Sequence, residues 1–412
     1  MRGGGYLYAG RGAAVSGDFP GCTCLPEGDG VKCSNRFGGM VMHEGAPPLT
    51  VGIEEEYQLI DPETRDLAPV AAEVLGEAPL ALKQLLNPEL HQAMVEIGTP
   101  PAANIREAYS MLVEMRREVA QLAAAKGARI VAAGTHPFAL WEDVPITQKD
   151  RYMELLGEFQ DAVRALLIFG THVHVGTGED DEFRVDAINT LRYMLPHLLA
   201  LSVSSPLWRG RVTGLKSYRS LIWRGLPRTG IPSTFSSYSD YQHFVEILIE
   251  TGSIQDASRI WWAMRAHHRY PTIEFRATDL ATNPRDAIAI AALAQALIYK
   301  HWLMRRDNVT FRQYPTPLIE ENVWRAARYG LDGKLIDFGE RREKWARDLL
   351  VELVEFVDDV LDDLDSRWAV EHVYTVLDRG TAADRQLAIY EETGDLRAVV
   401  DWLIEETLRD IA

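Results

Sequence analysis

The chain has 412 residues, of which 47% are hydrophobic and 25% charged, a composition typical of a globular protein with a large core. Its formal net charge is −17 and its pI is about 5.1, so its surface repels nucleic acids and anionic membranes. This balance does not exclude ATP, because a local group of arginines and metal ions can hold phosphates inside an acidic protein.

The N-terminal segment differs in composition from the rest of the chain. Residues 1–47 are rich in glycine, contain all three cysteines and include no apolar segment typical of a signal peptide. We therefore predict a disordered extension here, with Met40 or Met42 as an alternative natural start. The body of the chain has no cysteine, which argues against a disulfide-bonded secreted domain. We expect one catalytic domain over residues 48–412, located in the cytoplasm.

The first two thirds of the chain predict strands separated by helices. Strands are predicted over residues 49–60, 90–98, 129–133, 166–176 and 272–278, and helices over 104–126, 152–165, 186–202 and 241–251. Pro196 lies inside the third helix, so a kink or break is expected there. Residues 204–237 form a long polar segment rich in Gly, Pro, Ser and Arg, and loops of this length are usually functional.

The final third of the chain is predicted to be mostly helical. Breaks are expected around residues 313–317, 329–340 and 379–381, and the helical region begins at about residue 286. The longest apolar run, residues 287–298, is too short to cross a bilayer and predicts a buried helix. The sequence thus predicts an α+β fold, with a mixed or antiparallel sheet against which the helical third packs.

Four predicted strands carry polar side chains on one face and apolar side chains on the other. The polar residues are Glu54, Glu56 and Gln58, then Glu96, then His172 and His174, then Glu274 and Arg276. If these strands share a sheet, the carboxylates meet on one face and repel each other unless cations lie among them. Mg²⁺ or Mn²⁺ suits such oxygen ligands, and an arginine beside the metal suits phosphoryl transfer.

The same patterns have structural interpretations. A Glu-x-Glu pair is often a solvated sheet face, and a Glu-x-Arg pair is often a cross-strand ion pair. The His-x-His pair is as often a satisfied core pair as a metal site, and it leaves open a zinc-dependent hydrolase. The remaining candidate ligands for that alternative are His91, His136, His267 and His268. No Gly-x-x-x-x-Gly-Lys-Ser/Thr segment is present, so any ATP must bind through metals and loop cations.

A series of ordered motifs carries a family resemblance. These are Val51–Tyr57, Val95–Pro100, Ala133–Pro137, Gly170–Gly176, Ser204–Trp208 and Pro271–Arg276, followed by Arg379–Gln386 and Val400–Thr407 in the tail. Together they resemble the bacterial glutamate–cysteine ligase type 2 family, also called carboxylate–amine ligases. The likeness runs from about residue 50 to the C-terminus.

This resemblance implies a glutamine-synthetase-like fold, a curved antiparallel sheet with flanking helices whose concave face binds ATP and Mg²⁺ or Mn²⁺. The implied metal ligands are Glu54, Glu56, Glu96, His172 and Glu274, with Glu89 a weaker candidate. Arg276 is implied to act on the transferred phosphoryl group, beside Glu274. The implied reaction joins a glutamate-like acid to an amine such as cysteine through an acyl phosphate, with release of ADP and phosphate. The resemblance also favours a homodimer.

The polar loop adds candidate anion-binding groups and one departure from the family pattern. Arg211, Lys216 and Arg219 are candidate ligands for phosphates or carboxylates. Val212 stands where family members carry Asp, and Ala263, in a Trp-Trp motif further along, also replaces an Asp. Both changes remove an acid, which leaves open a non-catalytic descendant that binds nucleotide or amino acid.

Overall fold

The computed structural model of the chain describes residues 22–27, 30–37 and 39–411. The strands are β1 (Cys22–Glu27), β2 (Gly30–Phe37), β3 (Met40–Met42), β4 (Val51–Ile60), β5 (Leu86–Pro88), β6 (Met94–Gly98), β7 (Arg129–Val131), β8 (Thr171–Gly176), β9 (Leu207–Trp208), β10 (Arg211–Val212), β11 (Met264–Ala266), β12 (Thr272–Phe275), β13 (Lys334–Asp337) and β14 (Arg342–Trp345).

The α-helices cover both the sheet and the C-terminal third. They are α1 (Ala71–Glu77), α2 (Leu80–Lys83), α3 (Ile105–Ala125), α4 (Asp150–Phe159), α5 (Asp161–Arg164), α6 (Asp181–Leu191), α7 (Leu195–Ser202), α8 (Tyr218–Trp223), α9 (Tyr238–Glu250), α10 (Pro284–Arg306), α11 (Thr316–Tyr329), α12 (Ala346–Leu361), α13 (Arg367–Val370), α14 (His372–Arg379), α15 (Ala382–Thr393) and α16 (Leu396–Thr407).

The central sheet has seven strands in the order β11-β12-β8-β4-β6-β5, and β7 pairs with the far end of β4. Every neighbouring pair in it is antiparallel. The four motif strands are adjacent, and their register places Glu54 opposite His172 and Glu56 opposite Glu96. The predicted α+β fold with a largely antiparallel sheet and flanking helices is confirmed.

Helices α3 and α10 cover the apolar face of the sheet. The Asn104 side chain caps α3 by accepting a hydrogen bond from the Glu107 backbone, and buried residues recur along α3 at helical spacing. Helix α10 is long and apolar enough to span a membrane, with a mean hydropathy of 1.4, but 78% of that apolar stretch is buried. It packs against α3, α12 and β8 as the central helix of the core, so the buried helix predicted over residues 287–298 is confirmed.

A buried ion pair ties the sheet to these helices. Glu55 faces the core, is fully buried, and receives Arg116 Nη2 at 2.5 Å and Nε at 2.7 Å. Arg116 also donates to the backbone carbonyls of Ala281, Thr282 and Thr407. One guanidinium thus joins β4, α3, the N-terminal end of α10 and the end of α16.

Two further segments compare with the predictions as follows. Helix α6 ends at Leu191 and α7 begins at Leu195 with Pro196 in its first turn, which confirms the predicted break. The polar segment 204–237 holds β9, β10 and α8, and the predicted break at 329–340 includes β13.

The predicted disordered extension over residues 1–47 stays a prediction, and the described part of this segment contains three short strands. Strands β1, β2 and β3 form an antiparallel three-stranded sheet, and Met40 and Met42 pack into the main core. Residues 1–21 lie outside the described residues, and the domain boundary at residue 48 stays a prediction.

Candidate active site

A cavity of about 510 Å³ opens on the polar face of the sheet. Its walls carry carboxylate, imidazole and guanidinium groups, contributed by Glu54, Glu56, Glu89, Glu96, His172, Arg265, Glu274 and Arg276. The cavity therefore contains every predicted metal ligand together with Arg276. Strand alternation brings these groups together as expected, because β6, β4, β8 and β12 are neighbours.

One cluster in this cavity consists of Glu54, His172 and Glu274, whose nearest side-chain ligand atoms all lie within 4.8 Å of one another. His172 Nδ1 is 3.3 Å from Glu54 Oε2, while the buried Nε2 of the same ring has no hydrogen-bond partner among the described residues. Two carboxylates beside an imidazole nitrogen without a partner form a donor set that fits a divalent cation.

The charges around this cluster keep it in the protonation state that metal binding requires. Burial raises the pKa of Glu54, but hydrogen bonds from His172 and His174 outweigh this effect and lower the pKa below its ordinary value. Burial also raises the pKa of Glu274, and Arg276 and Arg265 outweigh it in the same way. Burial, aided by the charge of Arg276, lowers the pKa of His172 to about 4. At neutral pH the cluster thus has two carboxylates and a neutral imidazole.

A second acidic cluster consists of Glu56, Glu89 and Glu96. Burial, with the neighbouring acid adding to it, raises the pKa of Glu89 to about 7 and that of Glu96 well above its ordinary value. Glu89 and Glu96 hydrogen bond to each other, and the Gly170 N–H donates to Glu56 Oε2 at 2.6 Å. Three carboxyl groups this close cannot all ionise by themselves, so the cluster offers a second position for a divalent cation.

The family resemblance gave Glu89 as a weaker metal-ligand candidate, and the structure places Glu89 in the cavity lining. Glu89 directly follows β5, and the pairing of β5 with β6 brings it beside Glu96. The sequence predicted a single strand over residues 90–98, whereas the structure has two paired strands, β5 before Glu89 and β6 from Met94. The pairing of these strands was therefore not predicted.

Two arginines contact Glu274 from different strands. Arg265 lies opposite Glu274 in the register of β11 and β12, and its Nε is 2.7 Å from Glu274 Oε2. Arg276 Nη1 contacts the other oxygen, and its guanidinium lies 5.3 Å from the Trp223 ring centre. The sequence analysis selected Arg276 but missed Arg265. Arg265 lies two residues after Ala263, one of the two positions that depart from the family pattern.

The three loop cations occupy different places. Arg211 is exposed in β10 and does not line the cavity. Lys216 Nζ lies 2.5 Å from Asp332 and also contacts Asp384, so it joins the loop to the C-terminal helices. Only Arg219 lies beside the site, buried and 5.8 Å from the ring centre of Trp223.

The other histidines that the sequence offered as zinc ligands lie at different distances from the site. His174 Nε2 lies 3.2 Å from Glu54 Oε1, whereas His91 and His136 lie outside the residues that line the cavity. His267 and His268 do line it.

Val212 is exposed beside Arg211, away from the acidic clusters. Ala263 lies directly behind Arg276, whose backbone N–H donates to the Ala263 carbonyl at 2.8 Å. Only the second departure therefore touches a residue of the site.

Comparison with known proteins identifies the family of the chain. Residues 50–401 match the family model described as glutamate–cysteine ligase family 2. A protein named "Putative glutamate–cysteine ligase 2" from Herpetosiphon aurantiacus is 51% identical over 364 residues, which cover 88% of this chain and 94% of the relative. A protein of the same name from Chloroflexus aggregans is 51% identical over 363 residues, with coverage of 88% and 93%.

Solved structures share the fold at low sequence identity. The glutamate–cysteine ligase of Francisella tularensis, solved in complex with AMP, has a TM-score of 0.65 at 13% identity, with coverage of 89% of this chain and 90% of that chain. A bifunctional glutathione synthetase from Pasteurella multocida has a TM-score of 0.67 at 16% identity over 88% of this chain and 52% of that chain.

The family match and the acidic sheet face together define the class of protein, an ATP-dependent carboxylate–amine ligase. Within this class, the chain belongs to glutamate–cysteine ligase family 2.

Proposed function

We propose that the protein joins the γ-carboxylate of glutamate to the amino group of cysteine or a related amine, with conversion of ATP to ADP and phosphate. The observation that carries this proposal is the pair of acidic clusters that line one cavity together with Arg276. The names of the family and of its relatives support glutamate and cysteine as substrates.

Both acidic clusters fit Mg²⁺ or Mn²⁺. Glu54, His172 and Glu274 would hold one ion, and Glu56, Glu89 and Glu96 would hold another. Bound there, the metal ions would neutralise charge on the phosphate oxygens of ATP.

The reaction is a phosphoryl transfer followed by an acyl transfer. An oxygen of the glutamate γ-carboxylate attacks the γ-phosphorus of ATP, the bond to the bridging oxygen breaks, and ADP leaves. The amine nitrogen then attacks the acyl carbon, loses a proton, and expels phosphate to leave the amide. The carboxylate needs this activation because it is a poor electrophile on its own.

Residues of the chain stabilise and protect these steps. Arg276 directly follows β12, beside Glu274, and is placed to compensate charge on the phosphoryl group in transfer. Arg265 holds Glu274 from the other side and keeps it ionised. Tyr152, Trp223 and Trp261 also line the cavity, and their apolar surfaces would limit hydrolysis of the acyl phosphate by water.

The geometry favours this function over the two alternatives. A zinc hydrolase needs further ligands near His172 and His174; His91 and His136 lie outside the cavity lining, and although His267 and His268 line it, the metal-type cluster found among the described residues joins His172 to Glu54 and Glu274 instead. A non-catalytic descendant rested on Val212 and Ala263; Val212 is exposed and does not line the cavity, and Ala263 contacts Arg276 through its backbone carbonyl. A cytoplasmic location and a homodimer remain predictions.

The test is phosphate release from ATP with Mg²⁺ and glutamate, screened across amines that include cysteine. We expect amine-dependent ADP and phosphate, no comparable activity in Glu274→Gln, and normal activity in Glu77→Gln, which changes an exposed acid. The amine with the highest kcat/KM identifies the acceptor. Binding of a non-hydrolysable ATP analogue without turnover on any amine would instead favour the non-catalytic descendant.

A further inference from the structure

Arg219 is a buried cation whose guanidinium makes no hydrogen bond within the part of the chain that the structure describes. Its side chain is 2% exposed, and its guanidinium has neither a hydrogen-bond acceptor nor an ion-pair partner among the described residues. The charges that act on it are those of Asp279, Glu56 and Arg276. A buried guanidinium left in this state is costly unless a ligand supplies the missing acceptors.

Gly170 allows this guanidinium to approach the acidic face. A Cβ atom at position 170 would lie 2.9 Å from Arg219 Cζ, so any larger residue would displace the side chain. The N–H of Gly170 also donates to Glu56 Oε2 at 2.6 Å, so one backbone position contacts both the arginine and a candidate metal ligand. Arg219 therefore lies directly beside the second acidic cluster.

Space for a ligand atom exists next to Arg219. A small cavity of about 30 Å³ is lined by Arg219, Trp223 and Arg276, and the latter two residues also line the large cavity. Both guanidinium groups lie within 6 Å of the Trp223 ring centre. This volume accommodates a group about the size of one phosphate oxygen between two cations.

Asp279 fixes the loop that carries Arg219. Asp279 is fully buried; its Oδ2 accepts from Ser205 Oγ at 2.7 Å and from the Ser204 N–H at 3.0 Å, and its Oδ1 accepts from Ser217 Oγ at 2.8 Å. The Arg219 N–H in turn donates to Ser205 Oγ at 3.1 Å. Ser217 also caps helix α8, which contains both Arg219 and Trp223.

The hydrogen bonds around Asp279 involve two sequence motifs that contribute no residue to the acidic face. Gly134, in the Ala133–Pro137 motif, leaves room for the network, because a Cβ there would lie 3.0 Å from Asp279 Cγ and from Ser205 Cβ. Ser204–Trp208 supplies the serines. Both motifs thus converge on one buried carboxylate that does not line the large cavity.

We infer that Asp279 is a positioning residue that acts through Ser205 and Ser217 to hold Arg219, and that Arg219 binds a phosphate oxygen of ATP between Glu56 and Arg276. This inference rests on the proposed nucleotide-dependent function. It adds a second arginine to Arg276 and assigns to Asp279 a role that requires no contact with the substrate.

The test is a double-mutant cycle of Arg219→Lys and Asp279→Asn, scored by calorimetric binding of a non-hydrolysable ATP analogue with Mg²⁺. We expect each single variant to lose about tenfold in affinity for the nucleotide analogue. The double variant should bind no more weakly than Arg219→Lys, because the two substitutions remove the same interaction. In turnover assays, the KM for ATP should rise while the KM for glutamate changes little. Ser217→Ala should show a smaller loss of affinity for the nucleotide analogue. This variant replaces Asp279→Asn in the test if Asp279→Asn does not fold.

Asp286→Asn is the matched control. Asp286 bonds His372 and Arg379 away from the cavity, so its replacement should lower stability without changing nucleotide affinity. Additive losses in the cycle, or a loss of stability without a loss of affinity in Ser217→Ala, would overturn the inference. Because the cycle is scored on binding, absence of amide formation in the wild type would overturn the proposed function alone.

Discussion

Glu54 and His172 lie directly opposite each other on β4 and β8, with His172 Nδ1 3.3 Å from Glu54 Oε2. The register of two antiparallel strands therefore places a carboxylate against an imidazole, and β12 adds Glu274 to the pair. The positions of all three donors are set by backbone pairing, which is more rigid than a loop.

The first prediction concerns metal binding by this cluster. Because the ion binds the folded state, Mn²⁺ at about 100 times the Kd of this cluster should raise the free energy of unfolding by about 2.7 kcal/mol through this cluster, separately from any effect of the second acidic cluster. Glu54→Gln should largely remove that increase, since it takes away a carboxylate oxygen within 4.8 Å of the other ligands. The measurement is the Tm with and without Mn²⁺. Glu73→Gln, on the exposed face of α1, is the control, and an unchanged Mn²⁺ effect in Glu54→Gln would contradict the assignment.

The second prediction tests whether Glu89 is a metal ligand. Glu89→Gln should raise the Mn²⁺ concentration needed for half-maximal activity by about 10- to 100-fold, because it removes one acid of the second cluster. A Mn²⁺ titration of phosphate release measures this. Asn87→Ala, which removes only a 3.3 Å hydrogen bond to Glu96, should shift the titration far less. Equal shifts in the two variants would show that Glu89 is not a ligand.

The third prediction concerns Lys216, which was expected from the sequence to bind phosphate or carboxylate. Since its Nζ is held by Asp332 and Asp384, Lys216→Met should lower the Tm and leave the KM for ATP within about twofold of the wild type. The comparison variant is Arg219→Lys, three residues along the same loop. A rise in KM for Lys216→Met equal to that of Arg219→Lys would restore the phosphate-binding role.

The fourth prediction concerns the buried pair behind the active face. Arg116→Met should lower the free energy of unfolding by about 3–5 kcal/mol, because it leaves Glu55 as an unpaired charge in the core. The double variant Arg116→Met with Glu55→Gln should recover part of this loss. Urea unfolding measures both values. A cost below about 1 kcal/mol for the single variant would mean that the pair is not structurally important.

The fifth prediction is a pH dependence of stability. Burial lowers the pKa of His136 from 6.5 to about 4, and its Nδ1 accepts the Ala139 N–H at 2.9 Å, so the folded state holds the ring neutral. The unfolded chain binds more protons below pH 6.5, and stability must fall as the pH drops toward 4. Between pH 7 and pH 5, protonation of this histidine in the unfolded chain should lower the free energy of unfolding by roughly 2 kcal/mol. Urea unfolding at both values, compared with His136→Gln, tests it, and an equal pH effect in the variant would refute it.

Alternation along the strands was sufficient to predict the acidic face. Glu54 and Glu56 had to share one side of β4, and Glu274 and Arg276 one side of the extended segment that holds β12, since side chains alternate with a period of two. The same rule placed Glu55 on the apolar face, but its partner Arg116 lies 61 residues away and no local pattern links them.

The sequence by itself determined the polar face, the buried helix α10 and the break before α7, because these follow from local periodicity and backbone chemistry. Only the tertiary structure decided that Arg265 and Glu89 join the site, that Lys216 bonds the C-terminal helices, and that Asp279 lies beneath Arg219. These relationships depend on strand register and loop packing between distant segments, and such contacts are selected by the fold as a whole rather than by neighbours in the chain.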